Sequence, residues 1–149
     1  MNAKPPAPQR AGLTVADYPL AEKRPDLVTT AQGTGIGELT LEAIEAGEID
    51  MANLRITPEA LQMQAEIAES AGRPKLAENF RRAADLVNIP QDILLQVYDL
   101  LRPGRAKSKA ELHAAADRLR REYDADRIAA FIEEAAEIYE RRSLFTYRF

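Results

Sequence analysis

The sequence predicts an all-α protein: a compact helical domain of about five to six helices with an extended, Pro-rich N-terminal arm. Three observations carry this expectation. Apolar residues recur at helical spacing from Thr40 onward, no stretch shows the alternation of a convincing strand, and five of the nine prolines fall within the first 25 residues. The resulting division is residues 1–38 as arm and loop, 39–143 as the helical domain and 144–149 as an apolar tail. A chain of 149 residues with 46% hydrophobic content suits one core, and folding at this length buries roughly 70% of the unfolded surface.

The arm comes first. Pro5, Pro6, Pro8, Pro19 and Pro25 each fix φ and remove a backbone donor, so an extended chain is expected, one that needs another surface to lie on. Thr29 to Gly37 (TTAQGTGIG) continues as loop, because its three glycines raise the cost of ordering and no apolar periodicity is present. Thr40 then caps LEAIEA, with Gly47 as its stop, and Asp50 caps a short MANL turn.

Longer helices follow. One starts at Thr57 with Pro58 in the first helical position, carries Leu61, Ala65 and Ala68, and ends near Gly72. Pro74 opens the next, with Leu76, Phe80, Ala83 and Val87 as its apolar stripe. Pro90 opens a third with a wide apolar arc, in which Ile93, Val97 and Leu100 share one face and Leu94, Tyr98 and Leu101 the adjoining one. Pro58, Pro74 and Pro90 are spaced evenly by 16, yet the residues between them differ, so they mark helix starts and not a solenoid repeat. Ser108 and Glu111 form a capping box ahead of Leu112, Ala116, Leu119 and Tyr123. A last helix runs from about Asp126 with Ile128, Phe131, Ala135, Ile138 and Tyr139 facing the core.

Composition excludes several functions. Twenty Lys plus Arg against 24 Asp plus Glu give a net charge of −4 and a pI near 5.2, which disfavours nonspecific attraction to nucleic-acid phosphate or anionic lipid. No cysteine means no disulfide, no thiolate nucleophile and no Cys-based zinc site. MNAKPPAPQR lacks the apolar run of a secretory signal, and no apolar run approaches membrane-spanning length, so a soluble, cytoplasmic protein is expected.

Each candidate for chemistry has a plainer structural reading. Gly33-Thr34-Gly35-Ile36-Gly37 departs from the spacing of a dinucleotide-binding loop and follows no strand. His113, the single histidine, lacks a second His or Cys to complete a metal site. Glu133, Glu134 and Glu137 want the Glu-x-x-His partner of helical carboxylate sites and read as a solvated face. Asp124 and Asp126 lack the glycine and closing Glu of a calcium loop. Ala68 to Leu76 (AESAGRPKL) resembles the turn of a helix-turn-helix, although Gly72 reads equally as a common helix stop, and Arg102, Arg105, Lys107 and Lys109 read as complements of a helix C-terminus in preference to a phosphate site. The apolar residues at the two ends remain: Tyr18, Leu20 and Val28 in the arm, and Leu144, Phe145, Tyr147 and Phe149 in the tail beside Arg141, Arg142 and Arg148. These are interface residue types, and both ends are expected to wrap a partner.

Seven stretches together resemble the small (gamma) subunit of adenosylcobalamin-dependent propanediol and glycerol dehydratases. They are DYPLA (Asp17 to Ala21), LTLEAI (Leu39 to Ile44), RITPEAL (Arg55 to Leu61), QAEIAESAGR (Gln64 to Arg73), NFRRAADL (Asn79 to Leu86), YDLLRP (Tyr98 to Pro103) and AAFIEEAAEIYERR (Ala129 to Arg142). Their order and spacing cover nearly everything from Asp17 to Arg142. The resemblance implies a dimer of heterotrimers in which a large (alpha) subunit carries the substrate barrel, a medium (beta) subunit helps to hold the corrinoid, and the small subunit packs on the large one. It implies a radical reaction, started by homolysis of the cobalt–carbon bond, that takes a vicinal diol to an aldehyde with loss of water. The catalytic residues, the adenosylcobalamin site and the potassium or calcium ion associated with the substrate then all belong to other subunits, and none to this chain.

The subunit contacts expected on this chain are Asp17, Tyr18, Pro19 and Leu20 in the arm, Arg55, Ile56 and Thr57 at a helix junction, and Arg81, Tyr98 and Arg102 on the helical body. The SLFTYRF ending departs from the polar, Lys-rich tail of the family. The first sixteen residues lack the amphipathic period of a peptide that directs enzymes into bacterial microcompartments, which leaves encapsulation open. Two alternatives stand beside this reading: a small helical DNA-binding regulator using Gly72 to Arg82, and a stand-alone helical adaptor.

Overall fold

The computed structural model describes residues 12–146. Among them are seven α-helices: α1 (Leu20–Lys23), α2 (Leu41–Glu45), α3 (Pro58–Ser70), α4 (Pro74–Leu86), α5 (Gln91–Leu100), α6 (Lys109–Tyr123) and α7 (Asp126–Arg141). The protein is all-α, and a single antiparallel bridge between Thr29 and Gly35 is the one β feature of the described residues. The chain forms two compact units that divide between residues 79 and 80, inside α4.

The first unit is organised on α3. Thr57 Oγ1 accepts the Ala60 N–H at 3.1 Å, Pro58 occupies the first turn where no intrahelical donor is needed, and Gly72, at φ +73°, ends the helix in a conformation that disfavours any side chain. Leu61, Met63, Ala65, Ile67 and Ala68 are buried.

Within its described residues the arm is not extended. Residues 13–28 run as single turns: 3₁₀ helix at Val15–Asp17 and Pro25–Leu27, with α1 between them. The prolines are compatible with this: Pro25 stands in the first turn of its 3₁₀ helix, where its own fixed φ suits the turn, and Pro19 stands at the N-cap of α1 with extended backbone. The surface that the arm requires is this chain's own α3: the Leu13 N–H donates to Glu66 Oε2 at 3.0 Å and the Val15 N–H to Ser70 Oγ at 2.7 Å. Leu13 and Leu20 then close a small core with Met63 and Ile67, flanked by Leu27, Val28 and Ala60.

Between arm and α3, short-range hydrogen bonds shape the chain. Thr40 Oγ1 caps α2 through the Ala43 N–H at 3.2 Å, and Gly47 stops it at φ +74°. Asp50 Oδ1 accepts from Ala52 and Asn53 at 2.8 and 3.1 Å, while Asn53 Oδ1 accepts the Asp50 N–H at 3.0 Å.

The second unit centres on the antiparallel hairpin of α6 and α7, whose direction is seen in Lys109 lying at Glu137 and Glu140 while Arg120 lies at Glu133. Asp124, in the left-handed region at φ 56°, makes the reversal. Leu112, Ala116, Leu119, Ala129, Ile132 and Ala136 are all at 0% exposure. On α7 the inward stripe is therefore rotated by one residue from the expected Ile128, Phe131, Ala135, Ile138 and Tyr139. Small alanines let the two helices approach closely, and the larger side chains move to the flanks, where Phe131 stays 39% exposed beneath the Arg82 guanidinium at 4.9 Å. The same displacement occurs on α4, whose deepest residues are Ala77 and Ala84 while Leu76, Phe80, Ala83 and Val87 are half-buried.

On α5, Ile93 is buried and Leu94, Val97, Leu100 and Leu101 are half-buried against the hairpin, but Tyr98 is 68% exposed and leaves the expected second face. The capping box at α6 is shifted by one residue: Ser108 Oγ accepts the Glu111 N–H at 3.4 Å, and the Glu111 carboxylate returns to the Lys107 N–H at 2.8 Å.

The apolar tail, expected to reach a partner, folds back on its own unit as far as it is described. Leu144 bonds Gly104 and Tyr139 through its backbone at 2.8 Å each, and Phe145 packs with Tyr139 at a ring-centroid distance of 6.0 Å. The Tyr139 hydroxyl donates to the Leu101 carbonyl. Pro5, Pro6, Pro8, Tyr147, Arg148 and Phe149 lie outside the described residues.

Leu119→Ala leaves a cavity in a seam that alanines already hold close, so it is expected to cost about 2–5 kcal/mol of stability, read from urea unfolding of the full chain.

Candidate subunit interface

The glycine loop is closed on itself. Thr30 Oγ1 accepts the N–H groups of Gln32 and Thr34 at 3.3 and 3.1 Å, the Thr30 carbonyl accepts that of Gly33 at 3.0 Å, and Glu38 Oε1 accepts that of Gly35 at 2.9 Å. Donors that a phosphate would need are spent internally, and a carboxylate stands at the mouth.

The acidic residues of α7 are structural partners of α6. Arg120 holds Glu133 through two hydrogen bonds of 3.0 and 3.1 Å, and Lys109 holds Glu137 and Glu140 at 2.8 and 2.9 Å. The Arg120 hydrogen bonds keep the Glu133 carboxyl below its usual range against the opposing effect of burial, and Lys109 does the same for Glu137. Lys109 is raised in turn, first by Glu137 and then by Glu140. Two of the three members of the expected solvated cluster, Glu133 and Glu137, thus clamp the hairpin.

His113 Nε2 stands 4.0 Å from the Glu137 carboxylate with its side chain 40% exposed. No group of three His, Cys, Asp or Glu side chains able to hold a metal occurs among the described residues. Asp126 pairs with Arg120 at 3.3 Å, and Arg102 and Arg105 share Asp99 at 3.4 and 3.5 Å. Lys107 Nζ bonds the Gly104 carbonyl, in the turn beyond the end of α5, at 3.2 Å.

The ten residues expected at subunit contacts fall into several settings. Leu20 and Thr57 are buried in the first unit, one in the arm's core and one capping α3, so their side chains serve this chain's own fold. Asp17 accepts the Thr14 N–H at 2.9 Å and lies 3.9 Å from Arg24. Tyr18, joined to Pro19 by a cis peptide bond, is 58% exposed; Ile56 is 56% exposed beside exposed Arg55. Along α3 the arm's Val15 is tied to Ser70 at the last turn and Leu20 packs against Met63 and Ile67, while Thr57 caps the first turn. In the second unit Tyr98 and Arg102 are exposed at the end of α5, and Arg81 is half-buried on α4. Sequence reasoning missed Leu41, Ile44, Met51 and Leu54, all exposed by 44% or more. The signal was present in LEAIEA and MANL, segments too short to bury both faces.

Helices, cross-helix ion pairs and exposed apolar side chains define a helical protein equipped to bind other protein. The comparison with known sequences is specific: residues 13–146 match the family model described as dehydratase small subunit. The chain belongs to the dehydratase small-subunit family. It is similar to the propanediol dehydratase small subunit of Citrobacter freundii, at 48% identity over 87% of this chain and 76% of that one. It is also similar to the propanediol dehydratase small subunit of Salmonella typhimurium strain LT2, at 45% identity over 96% of this chain and 85% of the relative. Larger partner subunits follow from membership of such a family. No helix among the described residues is long and apolar enough to cross a membrane.

Stability supplied by Glu133 is fully present above the ordinary carboxyl value of 4.5 and is lost as pH falls through the lowered folded value. Thermal melts should therefore find Glu133→Gln less stable than wild type at pH 7, with the difference vanishing near pH 2 and shrinking in high salt.

Proposed function

We propose that this chain is the non-catalytic small subunit of an adenosylcobalamin-dependent diol dehydratase, which converts a vicinal diol, propane-1,2-diol or glycerol, to an aldehyde with loss of water by a radical route. The observation that carries this reading is the family match along residues 13–146, together with two propanediol dehydratase small subunits at 48% and 45% identity. The side chains support a structural role. His113, the single imidazole in the sequence, stands 4.0 Å from the Glu137 carboxylate, and among the described residues no group of three His, Cys, Asp or Glu side chains surrounds it. Cofactor, substrate and any substrate-bound cation belong, in this reading, to the large and medium subunits, assembled with this chain as a dimer of heterotrimers. Cytoplasm is the proposed location, with residues 1–38 as arm, 39–143 as helical body and 144–149 as tail.

Of the contact residues expected from the sequence, Asp17, Tyr18, Pro19, Arg55, Ile56, Arg81, Tyr98 and Arg102 remain proposed for contact with other subunits. Tyr98 offers a large amphipathic ring, a residue type enriched at interface centres, and Arg102 a planar donor for a partner carboxylate.

The test is aldehyde formation from propane-1,2-diol with adenosylcobalamin, using large and medium subunits purified with and without this chain. Activity is expected to require it; unchanged activity together with failure to co-purify overturns the proposal. Tyr98→Ala and Arg102→Ala are each expected to weaken assembly by about 2 kcal/mol where the side chain is buried on binding, measured by titration at low micromolar concentration.

A further inference from the structure

We propose that residues 41–56 form the surface by which this chain docks on a larger dehydratase subunit, and that the partner offers an apolar recess edged by Lys and Arg. The inference rests on the subunit role proposed above and gives it a location. Ten large hydrophobic side chains are conspicuously exposed among the described residues, and five of them, Leu41, Ile44, Met51, Leu54 and Ile56, fall within these sixteen positions at 44–78% exposure. Leu41 and Ile44 are one helical turn apart and share a face of α2. Ile49 alone of the large apolar residues in the segment is buried, at 8%.

Exposure here does not come from a loose loop. The Thr40 cap, the Gly47 stop, and the reciprocal bonds of Asp50 and Asn53 hold the backbone, so the apolar side chains are presented in fixed positions and little ordering entropy remains to oppose binding. An exposed apolar patch with polar edges is the signature of a protein contact.

Charge selects the occupant. The segment carries Glu42, Glu45, Glu48 and Asp50 against Arg55 alone. A second copy docked face to face would set carboxylates against carboxylates, and an anionic lipid surface would be repelled in the same way, whereas a subunit with a basic rim is attracted. The acidic edge also steers encounter, so association should slow as salt rises.

The experiment is co-purification of the full chain with tagged large and medium subunits. Leu54→Asp and Met51→Asp are expected to weaken association about 30-fold, as loss of a central interface contact does, while Ala130→Asp, a matched charge on exposed α7 surface, leaves it unchanged. Circular dichroism melts confirm that each variant is folded, and Leu54→Ala supplies a milder substitution if the aspartates do not fold. Glu45→Lys with Glu48→Lys should lower the association rate at low salt and converge with wild type at high salt. Folded aspartate variants that co-purify like wild type overturn this inference and leave the subunit role standing. Wild-type chain that fails to co-purify overturns both. Self-association that the aspartate variants abolish would assign the face to a second copy and overturn the choice of partner.

Discussion

Close approach of α6 and α7 is the constraint on which the second unit depends. Ala116, Ala129 and Ala136 bring the backbones together, and Leu112, Leu119 and Ile132 fill what remains at full burial. That approach decides which residues of α7 face outward, and so places Glu133 and Glu137 on the edge where Arg120 and Lys109 reach them. Ion pairs then hold a register that packing has chosen. They are partly exposed and individually modest, yet they act on neighbouring turns of one seam, where a slip by a turn would break several together.

In the first unit the corresponding element is α3, which presents its apolar face to the arm and its side-chain oxygens to the arm's N–H groups. Both kinds of contact are needed. The arm's single turns bond within themselves, and Glu66 and Ser70 supply acceptors for the Leu13 and Val15 N–H groups that tie those turns to α3.

Most of the helical plan was legible in the sequence because its signals are local. Thr40, Thr57 and Ser108 as caps, Gly47 and Gly72 as stops, and Pro58 and Pro74 as openers mark their own ends. What escaped is governed by distance in sequence. The rotation of α7 by one residue, with Ala129 and Ile132 in place of Ile128 and Phe131, follows from how nearly α6 approaches, and no window of α7 contains that fact. The described part of the arm differs from expectation for a like reason: proline counts exclude a long helix but leave successive single turns open, and contacts with α3 accompany those turns. Side-chain exposure was least legible of all. Tyr98 belongs both to an expected core face and to the expected contacts, and it is exposed; Leu20 and Thr57, expected as contacts, are buried; for the exposed Leu41, Ile44, Met51 and Leu54 the one signal is the shortness of LEAIEA and MANL.

The bonds between arm and α3 also set an order of events during synthesis. Leu13 leaves the ribosome 53 residues before Glu66, and Val15 leaves 55 before Ser70. At translation speeds of about 5–20 residues per second the arm waits on the order of three to ten seconds for its acceptors to be made. The α6–α7 hairpin, whose cross-helix ion pairs span 6 to 31 positions, forms from partners that emerge closer together than those of the arm. The N-terminal arm is thus made before its binding surface and must dock on it late, so a nascent chain exposes Leu13, Leu20 and Val28 to its surroundings for longer than any apolar group of the hairpin.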